Sequence, residues 1–232
     1  MFKKKILKIA IPFLSFIVKN RRIKIDESRG DVLVNLGCGL RCLPHWINID
    51  GSLTAFLGLK RFNFINKLLY KLAGSSAHYS FKEFNNIIKN NKLYFYDLRR
   101  GAPFFDESVD VIYASHFLEH LAKNEAKKFI QECRRILKKN GLIRLAVPDL
   151  DIAFKMYQKG KVEEMLDSFF YTSDAYDFHM HKYNYNFQTL KKLLEEINFS
   201  QIKKQSYQKG ECPDINFLDV YPDHSLYIEA KK

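Results

Sequence analysis

The chain has 232 residues, 47% of them hydrophobic, which is enough to bury a substantial core in one domain. Its formal net charge is +12, but eight cations (Lys3, Lys4, Lys5, Lys8, Lys19, Arg21, Arg22 and Lys24) precede the first acid, Asp26, and leave only +4 for the rest. A protein that tracks phosphates spreads Lys and Arg along the face holding its site, so this asymmetry argues against nucleic acid as the partner. Cys38, Cys42, Cys133 and Cys212 show no paired zinc spacing and read as reduced thiols of a cytoplasmic protein, not as a disulfide frame.

In chain order, residues 1–28 form a basic amphipathic segment. Phe2, Ile6, Ile9, Phe13 and Phe16 fall at helical spacing, with lysines elsewhere on the wheel and Pro12 against one unbroken helix. The weakly polar run from Ile9 to Val18 falls well short of the roughly 20 apolar residues that spanning a bilayer takes. No small-x-small cleavage site follows it, which argues against a signal peptide. Two readings stay open: peripheral docking on the anionic inner leaflet, or a helix or basic leader lying against the body.

Residues 29–232 read as one domain. Asp31 to Leu36 is a strand-length apolar run that ends at Gly37-Cys38-Gly39, where two glycines permit positive φ and close backbone approach to a ligand. Trp46-Ile47-Asn48-Ile49 leads to Asp50, a carboxylate at the carboxyl edge of a neighbouring strand, where a ribose hydroxyl pair is usually held. An insertion of about 53–92 follows, with Phe56, Phe62, Phe64, Leu68, Leu69 and Leu72 suggesting helix before a break at Gly74-Ser75-Ser76.

Leu93 to Asp97 predicts a third strand that again ends in an acid, with Leu98 to Gly101 as a turn. Ser108 to Ser115 predicts a fourth, opening into His116-Phe117-Leu118-Glu119-His120. Asn124 to Lys139 predicts a helix stopped by Asn140-Gly141, and Leu142 to Val147 a fifth strand halted by Pro148, with Asp149 just beyond. A second insertion of about 150–186 is dense in hydrogen-bonding rings, including His179, His181, Tyr183 and Tyr185. Phe187 to Ile197 reads as helix, and Phe199 to Tyr207 and Ser225 to Ala230 as strands. Strands alternating with helices and then a hairpin-like pair imply an α/β fold with a mainly parallel sheet and an antiparallel edge.

Taken together, the blocks VNLGCG, WINID, YFYDLR, FFDESVDVIYASHFLEHL, RRILKKNGLIRLAVPDL and SLYIEA resemble the class I S-adenosylmethionine-dependent methyltransferases. The resemblance runs from about Asp31 to Ala230 and is greatest to small bacterial members associated with surface-polysaccharide gene sets. It implies a Rossmann-like, seven-stranded sheet with S-adenosyl-L-methionine as cofactor. Gly37, Cys38 and Gly39 would then lie against the methionine part, Asp50 would accept from the ribose hydroxyls, Asp97 and the Leu98 backbone would read the adenine, and Ser115 and His116 would flank the methyl. The eleven residues from Gly39 to Asp50 are too few for the first helix many members have, so Leu40 to Trp46 must bridge as a turn.

Methyl transfer to a hydroxyl needs alignment and removal of a proton, with no obligatory metal. His116 and His120 are the candidate bases, because imidazole titrates near neutrality and both lie at the active edge, and Asp149 is a third candidate. His179 and His181, one residue apart, have no third ligand at a recognised metal spacing, so no metal is expected; with Tyr183 they read as acceptor-binding residues of a lid. The function expected is methylation of a hydroxyl on a sugar or glycan-type acceptor, the acceptor class coming from the resemblance and the basic head. A nucleic-acid methyltransferase is the alternative, lacking here the Asn/Asp-Pro-Pro-aromatic block of base methylation; a non-catalytic cofactor-binding adapter is another. A dinucleotide oxidoreductase fails on two counts: Cys42 stands where its third glycine belongs, and Asp50 comes too early.

Overall fold

The computed structural model describes residues 14–18, 20–25, 28, 30–57, 66–67, 70–71, 79–170 and 180–232. Most of the basic head, the middle of the first insertion and the stretch containing Asp174, Tyr176, Asp177 and His179 lie outside the described residues.

Seven strands form one sheet: β1 (Leu33–Leu36), β2 (Ile47–Asp50), β3 (Leu93–Phe95), β4 (Val109–Ser115), β5 (Leu137–Pro148), β6 (Ser200–Gln205) and β7 (Ser225–Lys231), in the order β3-β2-β1-β4-β5-β7-β6. The first five pair in parallel, and β7 runs antiparallel to both β5 and β6. This is the mainly parallel α/β sheet expected from the alternating pattern and the Rossmann-like seven-stranded order implied by the resemblance, with the reversed strand one place in from the edge. Because the order turns outward from β1 to β2 on one side and to β4 on the other, the carboxyl ends of those strands flank the crevice where such sheets bind ligands.

The described helices are α1 (Leu53–Leu57), α2 (Phe81–Asn90), α3 (Lys123–Ile136), α4 (Leu150–Gln158), α5 (Val162–Phe169), α6 (Phe187–Glu196) and α7 (Ile215–Leu218). In α3 the buried set Ala126, Phe129, Ile130, Cys133 and Ile136 repeats at helical spacing and packs one face against the sheet. The helix ends three residues before the predicted Lys139. Leu137 is already paired with Val109 in the sheet, and the left-handed Asn140, at φ 64°, turns the chain within β5 instead of capping the helix.

Alternation along β4 divides the two sides of the sheet. Ile112 and Ala114 enter the main core with α3, while Tyr113 joins Trp46, Leu142, Cys212, Ile215 and Leu218 on the other face. Among the described residues, no helix is long and apolar enough to cross a membrane.

Candidate active site

β1 ends where Gly37 and Gly39 take φ of 70° and 52°. The Gly37 and Cys38 N–H groups both donate to the Ile49 carbonyl, at 2.9 and 3.1 Å, which folds the turn back onto β2. A Cβ on Gly37 would lie 2.6 Å from the Phe117 ring, so a side chain there is excluded by packing as well as by φ. Gly39 is the opposite case: among the described residues nothing lies within 4 Å of its absent Cβ, which leaves its surface open on that side. Between Leu40 and Trp46 the chain bridges by turns without a helix, as its length requires.

Beside this turn is a cleft of ≈ 490 Å³, within the range of cofactor sites, lined by Gly37, Cys38, Tyr113, Ser115, His116 and Asp219 among others. Tyr113 and Ser115 share a face of β4 and both look into it. Among the described residues, the buried Ser115 hydroxyl has no hydrogen bond of good geometry. Burial raises the Tyr113 phenol far above its ordinary value, and the nearby Asp219 carboxylate adds to this, so Tyr113 stays neutral. Burial, then the neighbouring Cys42 thiol 3.8 Å away, pushes the Cys38 thiol up as well. The inner wall is therefore uncharged at the strand end.

His116 comes next, with φ 49°. Its N–H still donates to Ala146 at 2.8 Å, so the sheet continues while the positive φ swings the ring out of the strand direction. Nδ1 lies 3.2 Å from the Glu119 carboxylate and Nε2 lies 2.9 Å from the Ser225 hydroxyl, and the ring meets Tyr221 edge-on at 4.9 Å. The carboxylate near Nδ1 favours the tautomer with its proton there, which places the lone pair at Nε2.

The other predicted residues divide. Asp50 does not line this cleft; its carboxylate accepts from the Gly39 N–H at 2.9 Å and the Ser52 N–H at 2.7 Å, so it shapes the glycine turn beside it. Asp97 does not line this cleft. Its carboxylate is held by Arg99 through Nε and Nη2, each at 2.8 Å, with Arg100 at 3.5 Å, and Leu98 beside it is buried. Burial pushes Asp97 up, and the Arg99 hydrogen bonds and charge outweigh it, so its carboxyl stays below the usual range.

The structure gives Asp149 a different job from the catalytic one expected of it. It caps α4 through the Asp151 N–H at 3.1 Å and pairs with Lys204 at 3.2 Å, leaving the carboxylate committed away from the cleft. Nor does His120 reach the cleft: its ring meets His181 edge-on at 5.0 Å. Tyr183 packs edge-on against Tyr185 at 4.9 Å, beneath Lys123, against the main core and not in the cleft lining. His179 lies outside the described residues.

Several lining residues escaped the sequence reading: Tyr79, Tyr207, Asp219 and Tyr221. Asp219 is placed by Arg144, a fully buried arginine on β5 whose Nε and Nη2 donate to it at 3.0 and 2.6 Å while Nη1 donates to Glu229 at 2.9 Å. A charged residue in the middle of the apolar run LIRLAV was the available signal, since a buried arginine demands acidic partners. Tyr221 has φ 57°, strain for an aromatic residue, and nothing in its local sequence announces it.

Residues 80–145, from the start of α2 into β5, match the family model described as "Methyltransferase domain". That stretch of 66 residues, out of 232, is similar to a methyltransferase domain. The matched stretch includes Asp97, Ser115, His116, Glu119 and His120 and begins after the glycine turn. Among solved structures, a SAM-dependent methyltransferase from Archaeoglobus fulgidus is similar at 17% identity over 99% of this chain and 94% of its own, with a TM-score of 0.48. One from Thermotoga maritima, described as a possible histamine N-methyltransferase, is 16% identical over 87% of this chain and 82% of its own, with a TM-score of 0.49. A possible exported protein from Bordetella parapertussis has a TM-score of 0.50 at 11% identity, over 96% of this chain and 67% of its own. Identity this low bears on the fold alone. No curated protein matches the chain.

S-adenosyl-L-methionine is the cofactor of the methyltransferase domain. The cleft fits it on three grounds: open space at the Gly39 Cα, a buried Ser115 hydroxyl in need of a partner, and a volume suited to a nucleoside. When bound, it supplies a methyl group activated on a sulfonium.

Proposed function

We propose that this protein methylates a hydroxyl group on a sugar or glycan-type acceptor. The observation that carries the reading is His116, hydrogen-bonded through Nε2 to Ser225 and with Nδ1 3.2 Å from the Glu119 carboxylate, at the mouth of the cleft and one residue beyond Ser115. In this reading Gly37, Cys38 and Gly39 lie along the methionine part of the donor, Asp50 holds the ribose hydroxyls, and Asp97 with the Leu98 backbone marks the adenine end. Ser115 and His116 flank the methyl.

An acceptor hydroxyl displaces Ser225 at His116 Nε2 and hands its proton to that nitrogen, while Glu119, 3.2 Å from Nδ1, orients the ring. Tyr79, Tyr207 and Tyr221 at the cleft support a sugar, because phenols offer hydrogen bonds together with a ring face. Phe16 and Ile17, 59% and 60% exposed next to the basic head, support peripheral contact with an anionic membrane and hence a lipid-linked acceptor. Flotation with anionic vesicles should carry the full chain and leave behind a chain starting at Arg29; equal partition of the two ends that part of the proposal.

Two measurements test the rest. Calorimetry should show S-adenosylmethionine binding, and Asp50→Ala should weaken it about 10–100-fold, the cost of a hydrogen bond to a charged group. Undiminished affinity in a folded variant removes Asp50 from the ribose contact. A methyl-labelled donor offered with glycans and with RNA should label only the glycans, through an ether. Label in RNA instead overturns the acceptor class.

A further inference from the structure

Glu119 is fully buried in the 3-10 turn Leu118–His120, and among the described residues neither carboxylate oxygen makes a hydrogen bond. Its Oε1 has the His116 Nδ1 3.2 Å away, off hydrogen-bond geometry, which leaves the group under-satisfied where an unpaired carboxylate is costly. We propose that Glu119, His120 and His181 bind a divalent transition-metal cation of the zinc class.

One ligand atom from each of the three lies within 4.8 Å of the others, close enough to share one ion. The two imidazoles are oriented for the task. His120 Nδ1 faces the Met180 carbonyl oxygen at 3.2 Å and His181 Nδ1 faces that of Phe169 at 2.9 Å, so both carry their proton on Nδ1 and the lone pair on Nε2. A backbone carbonyl holding the far nitrogen is the usual support of a metal-ligating histidine.

The backbone keeps the set together. The Lys182 and Tyr183 N–H groups both donate to the Glu119 carbonyl, at 2.8 and 3.2 Å, which pins the strand of chain carrying His181 against the turn carrying the other two. Two imidazoles and one carboxylate form a recognised zinc set with a fourth position left for water or substrate. The ion would lie behind His116, sharing Glu119 with it.

The proposal does not depend on the acceptor. A tag-free full chain is stripped with chelator, loaded with Zn²⁺ or Co²⁺, desalted and assayed for bound metal. About one equivalent should remain, Co²⁺ should give a visible d–d absorption, and Zn²⁺ should raise the melting temperature. His120→Ala and His181→Ala should each weaken binding at least about tenfold, whereas His45→Ala, whose ring pairs with Asp214 elsewhere, should not. If protonated histidines alone compensate Glu119, the unmodified chain retains no metal and shows no thermal shift, and the proposal falls. It falls equally if the folded His181→Ala chain binds as tightly as the unmodified one.

Discussion

Replacing Arg144 by methionine is expected to lower the melting temperature by about 6–20 °C. The side chain is fully buried between Asp219 and Glu229, and it also donates to the carbonyls of Lys209 and Ser206 at 2.9 and 3.4 Å. Removing one partner of a buried ion network costs about 3–5 kcal/mol because the remaining charges lose compensation, and a domain of this length loses about 2–4 °C per kcal/mol. Here two carboxylates are stranded. Asp219 keeps the Tyr113 hydroxyl and the Gln208 N–H, and Glu229 keeps the N–H groups of Glu211 and Cys212, so partial relief is available. Thermal unfolding followed by circular dichroism checks the value. A shift below about 2 °C would mean that water reaches the network. The same change should loosen the wall from Asp219 to Tyr221 and weaken donor binding beyond what lost stability explains.

His116→Ala is expected to lower kcat about 10²–10⁴-fold, the usual contribution of a positioned proton acceptor. The ring touches Glu119, Ser225 and Tyr221 but no backbone hydrogen bond of the sheet depends on it, so folding should survive. Donor affinity should change only a few-fold, because the glycine turn and Asp50 are untouched. Steady-state kinetics together with donor calorimetry separate the two effects. A loss in donor affinity alone, with kcat intact, would make His116 a wall of the donor pocket and move the proton elsewhere.

The strand ends and the glycine turn were readable because each rests on local rules. Alternation at period two places β4, positive φ demands glycine at Gly37 and Gly39, and the stretch from Leu40 to Trp46 is too short for a full first helix. The helix α3 was readable for the same reason, except at its end. There the sheet claimed Leu137 for pairing with Val109, a contact no local propensity contains.

Candidate roles were harder than positions. Asp97 and Asp149 both follow strands at the expected edge, yet Arg99 occupies the first and a helix N-terminus with Lys204 the second. A carboxylate at a strand end can serve a ligand or its own chain, and which it does depends on cations that packing brings near. His181 was paired by spacing with His179; the fold sets it instead beside His120, about sixty residues away along the chain.

By itself the sequence determined the α/β architecture, the glycine turn after β1, and the sheet edge at which the candidate residues gather, since periodicity and backbone sterics act between near neighbours. Tertiary structure alone decided that Arg144 carries Asp219 to the cleft, that Tyr221 closes on His116, and that Glu119 meets two histidines. Those encounters join distant segments, and they are set by sheet register and loop packing, which no short stretch of the chain encodes.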